Sequence, residues 1–239
     1  MSNDTSRVPS RPRVEAVWAA TGALTVVLFG CGLLFGDLLG TTNYPALNAS
    51  SFQLRQYFTR NVSEVRALSL FHLLAAAALA AFASYLYPTL RAAGMRLAAL
   101  ALAGGIIGAA FLALSALCYR VLAERAVADD PALAHGLLVL SYLAGGPAIG
   151  VPLALTAGAF AAAIRRERTL PGWLRWLSTV AAVLGVATVT TLLGPTNNSS
   201  AAYGLLLLGA VALFTWLAAS SAVLLGRTLR AEDPAVDPR

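Results

Sequence analysis

Six long hydrophobic runs, split by short Arg-bearing connections, constrain this chain more than any other feature. They cover residues 17–39, 68–87, 97–119, 132–164, 177–193 and 201–225. A helix needs about 20 predominantly apolar residues to cross roughly 30 Å of hydrocarbon. Each run is near or above that length, and Asp37, at one end of the first run, is the only charge inside any of them. The pattern predicts an all-α polytopic membrane protein with six transmembrane helices. Charged residues make up 12% of the chain, about half the share in an ordinary soluble domain. One membrane domain is expected over 17–228, between disordered tails at 1–16 and 229–239.

The arginines set the expected orientation. All 17 basic residues are Arg, and with the heavy use of Ala this is the bias of a GC-rich bacterial genome. Arg7, Arg11, Arg13, Arg91, Arg96, Arg165, Arg166, Arg168, Arg175, Arg227, Arg230 and Arg239 fall on one side of the six runs. Arg55, Arg60, Arg66, Arg120 and Arg125 fall on the other. The positive-inside rule then predicts cytoplasmic termini in a plasma (inner) membrane. The basic residues flank the runs and form no patch with interleaved aromatics, so membrane lipids are the expected partners and nucleic acid is not. The first run exceeds a signal-peptide apolar core and lacks a small-residue cleavage site, so it is expected to be retained.

One connection stands out. From about 51 to 66, Leu54, Tyr57, Phe58, Val62 and Val65 share a helical face opposite Arg55, Gln56, Thr59, Arg60 and Ser63. This predicts an amphipathic helix in the outer interface, an anchored connector rather than a lid, running on into the second span. At another connection, Asp130 followed by Pro131 forms a helix start, because the carboxylate caps free amides and Pro fits the first turn.

The order of these features resembles a known family. Ala49-Ser50-Ser51-Phe52 leads into Tyr57-Phe58-Thr59-Arg60-Asn61 and Val65-Arg66, followed by an apolar helix that ends in Tyr85-Leu86-Tyr87-Pro88-Thr89-Leu90-Arg91. This resembles a bacterial six-helix membrane family catalogued as a domain of unknown function. The resemblance implies six spans over most of the chain, and brings no activity and no binding residues with it.

The fourth run is too long for a simple span. Its 33 residues would reach roughly 50 Å as a straight helix, and Gly145-Gly146-Pro147 and Gly150-Val151-Pro152 interrupt it. Pro removes a backbone donor, and Gly eases departure from helix. Two readings follow: a Pro-kinked helix with an outer extension, or a discontinuous helix whose freed carbonyls line a cavity. The first span carries Gly30, Gly32 and Gly36 at the corresponding place, a pairing seen in some transporters.

His72 and His135 are the only histidines, and both lie a turn or two inside the outer ends of parallel spans. An ionisable group there is a functional hypothesis by default. His72, His135, Tyr142, Gly145, Gly146 and Pro147 are therefore the candidate ligand-binding residues, in an outer-leaflet pocket roofed by the amphipathic segment. Two imidazoles at similar depth also meet the axial requirement of a b-type haem, with Arg66, Arg120 or Arg125 near its propionates. Neutral interface histidines without a cofactor are the adopted reading. A metal ion fits less well, with Asp37 and Cys118 as the further ligands.

Small residues recur at i, i+4 in Gly32 to Gly36, Gly104 to Gly108 and Gly146 to Gly150, a spacing that brings membrane helices close. Cys31 and Cys118 differ in expected depth and are read as free thiols. No nucleotide loop, catalytic triad, metalloprotease helix or paired intramembrane carboxylates are present, so an enzyme is not expected. The leading expectation is a non-catalytic module that binds a lipid, a small apolar ligand or a membrane partner. A small transporter and a bis-His haem redox protein are the alternatives.

Overall fold

A computed structural model describes residues 12–38, 44–168, 170–192 and 200–232. The predicted tails fall largely outside these residues. Among the described residues, all regular structure is helical: α1 (Pro12–Leu33), α2 (Ser51–Arg60), α3 (Val62–Leu90), α4 (Met95–Leu122), α5 (Arg125–Ala128), α6 (Pro131–Gly145), α7 (Pro147–Glu167), α8 (Gly172–Ala187) and α9 (Ser200–Glu232). Six segments are long and apolar enough to cross a membrane: Arg13–Gly36, Val62–Leu90, Met95–Leu122, Pro131–Glu167, Gly172–Leu192 and Gly204–Arg230. Helix α9 runs through Glu232, four residues into the predicted tail.

The fourth segment, α6 with α7, is the most enclosed, with 72% of its apolar window buried. It packs against α4, α8 and α9. Small residues make this possible, because interhelical attraction among apolar helices comes from close packing rather than from water exclusion. A Cβ at Gly104 would lie 2.3 Å from the Pro152 carbonyl oxygen, and one at Gly150 2.9 Å from that of Gly185. Thr156 Oγ1 donates across this interface to the Ala101 carbonyl at 3.1 Å.

Two clusters of buried residues result. The larger fills the middle of the bundle and the end opposite α2, around Phe82, Leu86, Leu112, Leu153, Phe160 and Trp216. The smaller lies at the α2 end, around Leu54, Tyr57, Phe58, Val65, Leu122 and Leu138. Helix α2 is amphipathic as predicted, with Leu54, Tyr57 and Phe58 buried. It begins with a capping box between Ser50 and Gln53, and stops at Asn61, one residue before α3. Asn61 is buried and turns its Nδ2 back to the Tyr57 carbonyl at 3.0 Å. Asp130 caps α6 as expected, its Oδ1 accepting from Ala132 and Leu133 at 3.1 and 3.2 Å.

Candidate functional site

The fourth segment is broken rather than simply kinked. Gly146 sits at φ −111° and ψ −99°, outside any helical conformation, although its N–H still reaches the Tyr142 carbonyl at 2.9 Å. Pro147 has no N–H to give Leu143, and Pro152 has none for Ala148, so the sequence itself removes two rungs of the ladder. The break is packed against α4. A Cβ at Gly145 would lie 2.6 Å from Ser115 Oγ, and that hydroxyl donates to the Ser141 carbonyl at 2.8 Å.

The first segment also departs from α-helix, in a π-helical turn at Leu34–Leu38. Such a turn frees carbonyls from the regular ladder. The Gly36 carbonyl accepts a buried hydrogen bond from Tyr57 Oη at 2.6 Å, which ties α2 to the end of the first span.

Beside the π-helical turn, and reaching the regular part of α6, lies an outer cavity of about 350 Å³, lined by Leu33, Gly36, Leu68, Tyr119, Leu138, Tyr142 and the loop residues 44–47. Tyr44 meets Tyr57 edge-on at 5.3 Å and Tyr119 at 6.4 Å. The cover is therefore the loop at 44–47, with α2 bracing it from behind. A second cleft of about 480 Å³ undercuts the other face of the same loop. Further along the spans, an inner cavity of about 180 Å³ is lined by Phe29, Gly145, Gly146, Leu206, Ala210 and Phe214, among others, and reaches the surface of the bundle at the exposed Leu33 and Leu207. Leu33 lines both the outer and the inner cavity and is 44% exposed.

The predicted site residues separate. Tyr142 lines the outer cavity, and Gly145 and Gly146 line the inner one. Pro147 is buried in packing. His135 is exposed on α6 and lines neither cavity. His72 is 4% exposed and lies behind the wall, stacked on Phe29 at 4.5 Å and 3°, with Tyr119 edge-on at 6.1 Å. A Cβ at Gly32 would fall 2.6 Å from its Cδ2, so Gly32 is the slot that admits the ring. The Phe29 carbonyl lies close enough to influence the imidazole, but neither ring nitrogen has a partner in hydrogen-bond geometry. Sequence reading missed Tyr44 and Tyr119. Tyr119 stands at the very end of its apolar run, where an interfacial anchor and a cavity residue look alike.

The rim at the α2 end is charged. Arg55 pairs with Asp129 at 2.8 Å, and Glu124 pairs with both Arg120 and Arg66. The Arg120 hydrogen bond and charge, helped by Arg66, hold the exposed Glu124 carboxyl below its usual range. Arg66 and Arg120, two of the three expected propionate partners, are thus both engaged with Glu124, and the Arg66 pair links α3 to the end of α4. Cys31 and Cys118 are both free, and no group of three or more metal-ligating side chains occurs among the described residues. Comparison with protein-family models, with characterised proteins and with solved structures returned no match.

Proposed function

We propose that this chain is a six-span protein of a bacterial plasma membrane, with cytoplasmic termini and the α2 end outside, that binds a neutral, largely apolar small molecule or lipid without transforming it. The observation that carries the reading is the outer cavity. Its volume of about 350 Å³ lies within the roughly 300–1,000 Å³ of small-molecule sites, and a few polar groups on apolar walls are the usual make-up of such sites. Exposed apolar side chains around the bundle, such as Trp173 at 54% and Trp176 at 65%, support lipid as the surrounding solvent. The arginine asymmetry supports the orientation, and the six helices long and apolar enough to span a membrane support the architecture.

Ala46 stands exposed on the cavity rim, so Ala46→Trp fills the space without disturbing a helix. Released from phospholipid nanodiscs, the wild type is expected to carry in native mass spectrometry a neutral adduct, other than the nanodisc lipid, that this variant lacks, at equal unfolding midpoints. Equal adducts on both proteins, or none on either, would count against the reading. Reporter fusions after Arg91 and Arg230 are expected to read cytoplasm, and one near Asn48 the outside. The non-helical Gly146 beside the inner cavity favours a second reading, a small transporter, which requires flux into proteoliposomes that Gly146→Ala slows.

A further inference from the structure

The two cavities share a wall residue, Leu33, and differ in size and lining. The inner one, about 180 Å³, falls below the usual range for a ligand site. Its lining is almost wholly apolar, with Thr188 as the polar member; that hydroxyl already donates to the Gly185 carbonyl at 2.7 Å. The outer one is different, with Tyr44, Tyr119 and Tyr142 in its wall. A phenol both donates and accepts, so it can hold a ligand oxygen while keeping a bond of its own. Among the described residues, no charged side chain lines either cavity, and burying an unpaired charge is strongly unfavourable. His72 marks the junction, because its ring spans from Phe29 of the inner lining to Tyr119 of the outer.

Resting on the outer-cavity reading, we propose that the two cavities are halves of one site for an uncharged, single-tailed amphiphile. Its head, bearing carbonyl or hydroxyl oxygens, lies among Tyr44, Tyr119 and Tyr142. Its tail passes Leu33 into the space between α1, α7 and α9. The small inner volume admits one chain rather than the two of an ordinary phospholipid. Gly145 and Gly150 hold their helices close around that space, since a Cβ at either would meet a neighbour within 3 Å.

The test uses the full chain in phospholipid nanodiscs, because many detergents are themselves uncharged single-tailed amphiphiles. The probes are decyl-benzoquinone and monodecanoylglycerol, each beside its tail-less counterpart, with binding read by saturation-transfer NMR against empty nanodiscs. Ala210→Phe fills the inner cavity, and Leu207→Trp does so from an exposed position that spares folding. At least one tailed probe is expected to bind the wild type about tenfold more tightly than either variant, with its tail-less counterpart indifferent to both substitutions. Ala46→Trp is expected to remove tailed and tail-less binding together. A tailed probe held equally by wild type and both inner variants overturns this proposal and leaves the outer-cavity reading standing. Failure of every probe to bind the wild type overturns both.

Discussion

The two ends of the bundle are built on different principles. Away from α2, helices touch through glycine and alanine so closely that backbone faces backbone: Gly104 lies under the Pro152 carbonyl, and Gly150 under that of Gly185. At the α2 end, side chains do the joining. Tyr57, Tyr44, Tyr119 and His72 form a chain of ring contacts, ion pairs lace the rim, and space is left over. Small residues bring these helices to backbone contact, although a cavity of about 180 Å³ remains beside Gly150 and an open cleft of about 580 Å³ lies between the start of α1 and the end of α3; at the α2 end, rings of fixed shape meeting edge-on leave a cavity with polar groups in its wall. The first arrangement suits a rigid scaffold, and the second suits a site.

The largest effect is expected where backbone meets backbone. Gly104→Val should cost about 3 kcal/mol or prevent folding, since overpacking against an immovable carbonyl cannot relax. Gly136→Ala in α6 meets nothing within 4 Å and should be neutral or mildly stabilising, because Ala is the better helix former. Equal losses in thermal unfolding of the two variants would erase the contrast between the ends.

Tyr57→Phe leaves the buried Gly36 carbonyl without its donor and should cost about 2 kcal/mol. Hydrogen exchange is expected to rise in α2 and around Gly36, with α7 and α8 unchanged. A uniform rise would show that the α2 end is no separate unit.

His72→Phe should go the other way. It keeps the stack on Phe29 and removes two buried nitrogens that lack partners, so it is expected to raise stability by about 1 kcal/mol. Weakened ligand retention in the same variant would assign the imidazole to the site. Visible absorption is expected to be unchanged in His72→Phe and His135→Ala. A band lost in both would restore the haem reading.

The smallest effect concerns Glu124. Its carboxyl is held low by Arg120 and Arg66, so its contribution is fully present above the unfolded-state pKa and disappears as pH falls through the lower folded-state value. Acidification across that window should speed exchange around α5 in the wild type and not in Glu124→Gln. Identical profiles would remove the ion pairs from the account of this end.

Much of the molecule was legible in the residues because length and backbone chemistry are local. Apolar runs of spanning length specify six helices, Asp130-Pro131 specifies a start, and Gly145-Gly146-Pro147 specifies an interruption. The amphipathic face of α2 could be read because Arg and Thr alternate there with Leu and Phe at helical spacing. The same logic fails inside the spans. Lipid is as apolar as a protein core, so a residue facing lipid and one facing a neighbouring helix are drawn from the same types. His72 and His135 looked equivalent for that reason.

The sequence by itself determined the helices, where they stop, and the places where proline and glycine deny the backbone its regular bonds. Only the tertiary structure decided that Gly32 opposes His72 and buries it while His135 stays outside. It also decided that Tyr44, Tyr119 and Tyr142, from a loop and two helices, line one cavity, and that Leu33 borders a second. Those outcomes depend on how helices rotate and approach one another. That choice is made by the summed packing of many small residues, and no single stretch of sequence records it.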